Sequence, residues 1–393
     1  MGFTVKENTV IGVEIESTEG TYVAPQAATS FVQTLSDGTE LNPAKETVER
    51  NVFNGSIGKS TPRTSTRSVT GSLPTEARAS DVEGDAPEYD ALMRSALGSR
   101  RQKTTDTTTK TGHTASRLEI EDADIGDFAV GDIVLVKEAG AFHVSPVTAV
   151  DTTASAANID LLVAASGAFT DNVVIAKFTT YVTAESGHPT LSISKYLESA
   201  RLEQATGCRV TSMALENFTT GQLPSFNYAF EGLDWDCSLT APPFTPDYDD
   251  SLPPLVLSAC LYKDGTQLDV NDFSFSMENT LGFITSTCAA NGRLASRVTE
   301  RNITGSFNPY KEDDSCEHWD DFKDGTEFSL FAFAFNPTST TGEYEQVVAV
   351  YMPKCIITEV TEADLDGVLQ NELSFTAARG ADGTTEELYI TTI

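Results

Sequence analysis

The chain has 393 residues, 39% of them hydrophobic, which is enough for two or three domains with cores of their own. Its 58 acidic residues outnumber 26 basic ones, and the net charge of −32 disfavours a protein that binds nucleic acid by neutralising phosphates. No apolar run reaches the roughly 18 residues that a membrane helix needs, and the first residues lack the basic start and apolar block of a signal peptide.

Short runs in which apolar and polar residues alternate recur along the chain and predict half-buried strands. The tripeptide Asp-Gly-Thr occurs four times, as expected of turns between strands. Only two short helices are predicted, near 87–97 and 316–322. The sequence therefore predicts a mostly-β protein. The clearest alternating runs are 209–213, 225–230, 273–277 and 328–335.

The sequence of one predicted strand occurs twice. Residues 66–78 read TRSVTGSLPTEAR and residues 300–312 read ERNITGSFNPYKE, with the Thr-Gly-Ser triplets 234 residues apart. A predicted helix follows each copy. A later pair of segments, which begin at Cys208 and Cys355, matches at a spacing of 147 residues. The order strand, helix, strand, strand thus occurs twice, which indicates an internal duplication.

The two spacings differ by 87 residues, so the first copy carries an insertion between its helix and its later strands. We place this insertion at 101–188. Its first residues are polar and linker-like, and strand-like runs follow every dozen or so residues, which predicts a small all-β domain. The predicted organisation is a first module in two parts (1–100 and 189–245), the insertion, and a second module at 246–393.

The repeated strands are expected to place apolar side chains on one face and short polar side chains on the other. A polar face of this kind is typical of a solvent-facing antiparallel sheet, and equally of the wall of an aqueous channel. The outward-facing set comprises Thr70, Ser72, Glu76, Asn227, Glu231, Thr304, Ser306, Asn308, Ser374 and Thr376.

Two segments are basic although the chain is strongly acidic. Residues 51–75 contain no acidic residue, and residues 287–301 contain one, Glu300. Such segments predict contacts with an acidic surface of another copy, and two solvated loops that balance local charge are the alternative. The basic residues concerned are Lys59, Arg63, Arg67, Arg293 and Arg297.

Sequence patterns for catalysis or cofactor binding are incomplete. Residues 55–60 lack the first glycine of a phosphate-binding loop, and residues 362–367 lack the terminal carboxylate of a calcium loop. Cys316 and His318 are a possible metal corner, for which a surface helix is the alternative. No nucleophile elbow occurs. We therefore predict no enzyme, no metal and no cofactor, and we expect the six cysteines to be buried free thiols.

Residues 12–78 resemble the start of the tail tube proteins of long, non-contractile tailed bacteriophages. The resemblance is carried by GTYVAP at 20–25, ERN at 49–51 and SVTGSL at 68–73, in this order. It is looser from about 190 onward and does not extend to the insertion. It implies β-sandwich modules with flanking helices, whose inner sheets join around a ring. The rings would stack into a tube, with long loops reaching from ring to ring.

The resemblance also implies partners and a place of action. The partners would be other copies of the chain, the tape measure protein, and the tail terminator and tip proteins. Double-stranded DNA would pass without adhering, and no membrane would be involved. The protein would assemble in the host cytoplasm and end in the tail of the virion.

Two modules in one chain depart from the family pattern of one, and favour a trimer that imitates a hexamer. The outward polar set would then line the lumen, the five basic residues would bridge rings, and the insertion would lie outside. The alternative is a β-rich virion protein that decorates the particle or binds the host, with the insertion as the receptor-binding part.

Overall fold

The computed structural model describes residues 5–53, 55, 57–138, 141–153, 157–198, 201–257, 259–289, 291–311, 316–337, 344–380 and 385–393. The prediction of a mostly-β protein is confirmed, since two α-helices accompany 24 strands in this part of the chain. Neither helix is long or apolar enough to cross a lipid bilayer.

The first module is assembled from both sides of the insertion. Before the insertion it contributes β1 (Thr9–Ile15), β2 (Phe31–Val32), β3 (Glu40–Val48), β4 (Arg63–Glu76) and helix α1 (Asp90–Leu97). The insertion then contributes β5 (Gly98–Lys103), β6 (Thr107–Thr108), β7 (Arg117–Glu119), β8 (Ile133–Glu138), β9 (Ala141–Asp151), β10 (Asn158–Leu161), β11 (Val174–Ile175) and β12 (Phe178–Thr183). The first module resumes with β13 (Leu191–Leu197), β14 (Arg201–Glu216), β15 (Ser225–Gly232) and β16 (Asp234–Ser238).

The second module repeats this order without an insertion. Its elements are β17 (Ala259–Lys263), β18 (Thr266–Leu268), β19 (Val270–Thr285), β20 (Arg293–Pro309), helix α2 (Glu317–Asp324), β21 (Phe328–Pro337), β22 (Tyr344–Leu365), β23 (Val368–Ala377) and β24 (Tyr389–Thr392). Both helices span eight residues and end at a left-handed glycine, Gly98 and Gly325, because glycine adopts positive φ without a steric penalty.

Strand pairing is alike in the two predicted modules. Cys208 pairs with the first residue of β13, and Cys355 pairs with the first residue of β21. The β14–β15 ladder shifts register between Val210 and Ser212, and the β22–β23 ladder shifts between Ile357 and Glu359, which is the same point 147 residues later. The two predicted modules thus carry equivalent irregularities at equivalent positions.

The sequence alignment of the last repeated strands is two residues out of register. The 147-residue spacing equates Phe226 with Leu373. In the structure, however, Ala229 pairs with Ser72 of the first triplet, and Ser374 pairs with Ser306 of the second. Ala229 therefore corresponds to Ser374. The connection from β22 to β23 is shorter than that from β14 to β15, because a tight turn with positive φ at Asp366 and Gly367 closes it.

The insertion is joined to the second module rather than standing apart. Strands β6, β11, β8, β9, β10 and β7 form a separate six-stranded sheet. The stem strands β5 and β12 pair with each other, and β12 also pairs with β24 at the end of the chain. The stem of the insertion therefore extends a sheet of the second module, the outer sheet, which consists of β17, β21, the first half of β22 and β24.

A shared apolar core holds the insertion in place. Residues of the insertion such as Leu135 and Phe178 form one buried cluster with Phe331, Phe333 and Tyr351 of the second module. An ion pair at the margin adds to this contact, since Arg379 of the second module pairs with Glu185 of the insertion at 2.7 Å. The insertion and the second module therefore stabilise each other.

Six free cysteines are present, but the expectation that all are buried is wrong. Only Cys208 and Cys355 are buried. Cys260 is half-buried, and Cys237, Cys288 and Cys316 are exposed. Burial raises the pKa of the Cys208 and Cys355 thiols, which keeps both protonated and unreactive.

Candidate functional site

The inner sheets of the two modules form one continuous sheet of eight antiparallel strands. Its order is β3, β4, β15, β14, β19, β20, β23 and β22. The two modules meet where β14 pairs with β19. We call this junction the seam. It consists of the pairs Ser212–Glu278, Met213–Met277, Ala214–Ser276 and Leu215–Phe275.

One face of this sheet carries the polar residues predicted from the sequence. Directly opposed residues share a face, so each cross-strand row can be followed through both modules. Hydrogen bonds confirm the shared face: Ser274 and Ser306 join through their hydroxyls at 3.1 Å, and Asn227 donates to Glu216 at 3.3 Å. The central rows are Glu40–Ser72–Ala229–Ser212–Glu278–Asn302 and Pro74–Asn227–Ala214–Ser276–Thr304–Thr376.

These two rows contain small, polar and acidic residues and no lysine or arginine. A neighbouring row pairs Ser274 with Ser306, Ser306 with Ser374, and Ser374 with Glu359 on β22. Thr70 stands opposite Glu231 near one end of the strands, and Glu76 stands opposite Ser225 near the other. This surface, the polar face, has carboxylates and hydroxyls but few groups that attract a polyanion.

The opposite side of the sheet is the core. Val69, Leu73, Tyr228, Ile303 and Phe307 are almost fully buried there. Helix α1 lies over this core with Leu92, Met93, Ala96 and Leu97 buried, whereas α2 has no fully buried residue. Trp319 and Phe322 of α2 remain about half exposed.

Two of the basic residues predicted to bridge rings form ion pairs between the two modules of the chain. Arg293 on β20 pairs with Glu231 of the first module at 2.9 Å, and its guanidinium lies 4.1 Å from the centre of the Phe283 ring. Arg297 pairs with Glu19 of the first module at 2.7 Å. Both residues therefore join the two modules of one chain.

Glu19 is the centre of a charge network between the two modules. Its carboxylate accepts hydrogen bonds from the backbone and the hydroxyl of Ser296, from Arg297 and from Arg209. Burial raises the pKa of Glu19, but these hydrogen bonds and the charge of Arg209 outweigh it, so the pKa lies below its ordinary value. Sequence reasoning missed Glu19, because a single glutamate in a long loop carries no pattern.

The other basic residues lie on the first module. Arg67 pairs with Asp234 at 2.7 Å, within the same module. Lys59 forms an exposed pair with Glu49 at 3.3 Å, and Arg63 begins β4. Residues 49–62 include two fully exposed apolar side chains, Phe53 and Ile57. This segment is the hairpin connection equivalent to the tip of β19–β20.

The eight-stranded sheet ends in two free edges. Among the described strands, β3 pairs only with β4, and residues 356–365 of β22 pair only with β23. Nearly all of β3 is exposed, and so are Thr358, Glu359, Thr361 and Glu362. Long free edges are sites at which another strand can add.

The possible metal corner on α2 is occupied by a lysine. Glu317, His318 and Asp321 are close enough to share an ion. However, the buried ammonium of Lys263 contacts both carboxylates, and these contacts raise its pKa despite burial. The cluster already contains its cation, so its chemistry is that of a structural ion pair. Cys316 precedes the helix and is not in this group.

Comparison with known proteins gives one family. A family model described as "Phage tail tube protein" matches residues 7–377. The match spans the insertion and most of both predicted modules, and it ends before β24. No curated protein matches the chain.

Proposed function

Because this chain belongs to the phage tail tube protein family, a component of the virion tail, we propose that three copies close into a ring and that such rings stack into the tube. Each chain would supply two of six similar modules. The tube would deliver double-stranded DNA, and the protein would act as a structural element rather than as an enzyme.

The seam is the observation that carries this proposal. It joins the last inner strand of one module to the first inner strand of the next, edge to edge. Among the described strands, the first strand of this sheet, β3, and the last, β22, each lack a neighbour on one side. A junction that repeats the seam would join them between copies, and a repeated rotation of this kind closes a ring.

The width of such a ring suits a channel. Three chains would contribute about 24 strands, which at a spacing of about 4.8 Å and a tilt of about 40° give about 50 Å between backbones across the ring. Two chains would give only about 30 Å between backbones, and inward side chains would narrow that channel further. The estimate favours three chains.

The polar face would line the channel. Its serine, threonine, asparagine and glutamate side chains give DNA few cationic groups to bind, and its carboxylates repel phosphate. The core side carries the helices and the outer sheets, and the insertion packs against an outer sheet. The insertion would therefore lie on the outside of the tube.

The two ends of the strands would contact other rings and the remaining tail proteins. The exposed Phe53 and Ile57 lie at one end, and the β22–β23 turn lies at the other. We expect the tape measure protein inside the tube, and the terminator and tip proteins at its two ends. Free thiols suit assembly in the reducing cytoplasm of the host.

Electron microscopy of the purified protein tests the proposal. Hollow tubes or stacked rings are expected, with six similar inner modules and three outer insertions in each cross-section. Six insertions per ring would reject the trimer. Monomers that bind host cells would reject the tube, and would favour the host-binding alternative.

A further inference from the structure

The seam inside the chain predicts the residue pairs of the junction between chains. We propose that β3 of one copy pairs antiparallel with β22 of a second copy in the register Leu41–Glu362, Asn42–Thr361, Pro43–Val360 and Ala44–Glu359. This inference rests on the proposed ring, and it adds the contact surface, its partner and its register.

The register follows from pairing inside the two modules. Asn42 lies opposite Thr70, and Ser276 lies opposite Thr304, so that Asn42 of the first module corresponds to Ser276 of the second. The register shifts of β14 and β22 end at Ser212 and Glu359, so these two residues correspond. Ala214 therefore corresponds to Thr361. Since Ala214 pairs with Ser276 at the seam, Thr361 pairs with Asn42 at the junction.

Both edges are accessible for this pairing. Asn42, Pro43 and Ala44 are exposed on β3, and Glu359 and Thr361 are exposed on β22. Leu41 and Val360 are partly buried and already pack against the main core. The junction would therefore continue the core below the sheet and the polar face above it.

Proline on β3 is typical of an edge strand. The carbonyl of Glu40 points towards β4, where it lies over Gly71. Because backbone groups alternate along a strand, those of Asn42 also point to β4, and those of Pro43 point to the free side. Pro43 lacks an N–H there, so any strand that pairs along this edge, β22 of a second copy included, forms one backbone hydrogen bond fewer. Such an edge is protected against aggregation.

Helix α2 adds charge complementarity. At the seam, Asn279 of the second module donates to the carbonyl of Ala96, at the C-terminal end of α1, at 2.9 Å. Lys45 occupies the position of Asn279 in the first module. Across the junction its ammonium would reach the C-terminal end of α2 in the second copy. A cation is favourable at that helix end, and α2 also carries several carboxylates.

Cross-linking tests the register directly. Asn42 and Thr361 would form a non-hydrogen-bonded pair, with Cα atoms about 4.5 to 5.5 Å apart, which a disulfide can span. The variant combines Asn42→Cys and Thr361→Cys with serine at the exposed Cys237, Cys288 and Cys316. Oxidation of assembled protein is expected to convert most monomer into covalent dimers and closed trimers.

Two shifted pairs serve as controls. Asn42→Cys combined with Ala363→Cys, or with Glu359→Cys, places the thiols two residues out of register on the same face, about 7 to 8 Å apart. At least a tenfold lower yield of cross-link is expected for both. If a shifted pair cross-links in tubes that still form, the proposed register is wrong, and the proposed ring is not affected. The control protein carries serine at positions 237, 288 and 316 and no added cysteine. If it forms no ring or tube, that result would instead count against the proposed function.

Discussion

The ring of Phe230 lies across the backbone of Gly71, so close that a Cβ atom on Gly71 would come within 2.5 Å of the ring. The second module repeats the arrangement: a Cβ atom on Gly305 would come within 2.5 Å of the Phe375 ring. Both glycines are the middle residue of the repeated Thr-Gly-Ser triplet. Glycine is therefore required at both positions, because an aromatic ring from the neighbouring strand covers the space that a side chain would need.

Alanine at either glycine is expected to destabilise its module. The added methyl group meets both the aromatic ring and a backbone carbonyl, so the strands must separate. We expect Gly71→Ala and Gly305→Ala each to lower the free energy of unfolding by about 1 to 3 kcal/mol, as overpacking does. Urea denaturation followed by fluorescence measures this. Gly126→Ala is the matched control, since its Cβ atom would meet nothing within 4 Å. Equal effects at all three positions would contradict the explanation.

The contact between the two modules at Glu19 should weaken at acid pH. Its pKa is lower in the folded protein than its ordinary value of 4.5, so the native state favours the carboxylate. The stabilisation is present above about pH 4.5 and is lost as the pH falls through the lowered pKa. Glu19→Gln is expected to cost about 1 to 2 kcal/mol at pH 7, with the difference from the unaltered protein shrinking towards pH 3.5.

Denaturation midpoints at several pH values between 7 and 3.5 test this. Glu49→Gln removes the acid of an exposed ion pair with Lys59 and should change the midpoint little at any pH. A Glu19→Gln effect that is as large at pH 3.5 as at pH 7 would show that the carboxylate charge is not the cause.

Charge reversal at Lys45 should impair assembly without unfolding the chain. The side chain lies on an exposed edge strand, so the monomer is expected to keep its melting temperature. Lys45→Glu would place an anion beside the C-terminal end of α2 of a second copy, and should reduce the sedimenting fraction several-fold. Lys45→Asn reproduces the residue at the seam and should assemble. Lys6→Glu controls for net charge, and loss of assembly there too would remove the specific role of Lys45.

Removal of the insertion sheet should destabilise the second module. Lys103 and Phe178 are paired neighbours, so a two-residue turn can join them after deletion of 104–177. The deletion would expose Phe331 and Phe333, and we expect aggregation and binding of an apolar dye. Threonine at 331, 333 and 335 on the same deletion should restore solubility, because these side chains face the insertion. A soluble, dye-free deletion without those changes would argue against a shared core.

Positive charge on the polar face should make tubes retain DNA. Ser276→Lys with Thr304→Lys places lysines in the central row of the inner sheet. We expect such tubes to bind double-stranded DNA at 50 mM salt and to release it near 200 mM, as phosphate contacts do. Thr104→Lys with Thr105→Lys adds the same charge on the insertion. Equal DNA binding by both variants, measured by co-sedimentation, would mean that the polar face does not line the channel.

Much of the fold could be predicted because its signals are local. Alternation along 225–230 and 328–335 identifies strands, and the T-G-S triplets identify the duplication. The strand 328–335 also has apolar residues on both faces, which is the one local sign that a second layer covers it. Contacts of Glu19 and the pairing of β14 with β19 depend on chain segments far apart in sequence, so no local pattern could reveal them.

The seam changes the kinetics expected of ring formation. In the proposed ring, three of the six module junctions form when each chain folds, at the high effective concentration that a covalent link provides. Closure then needs an encounter of three bodies rather than six. Its rate should depend on roughly the third power of protein concentration at most, and rings should persist at dilutions where six separate modules would dissociate. The duplication thus makes half of the module junctions part of the folding of single chains, and leaves the other half to association.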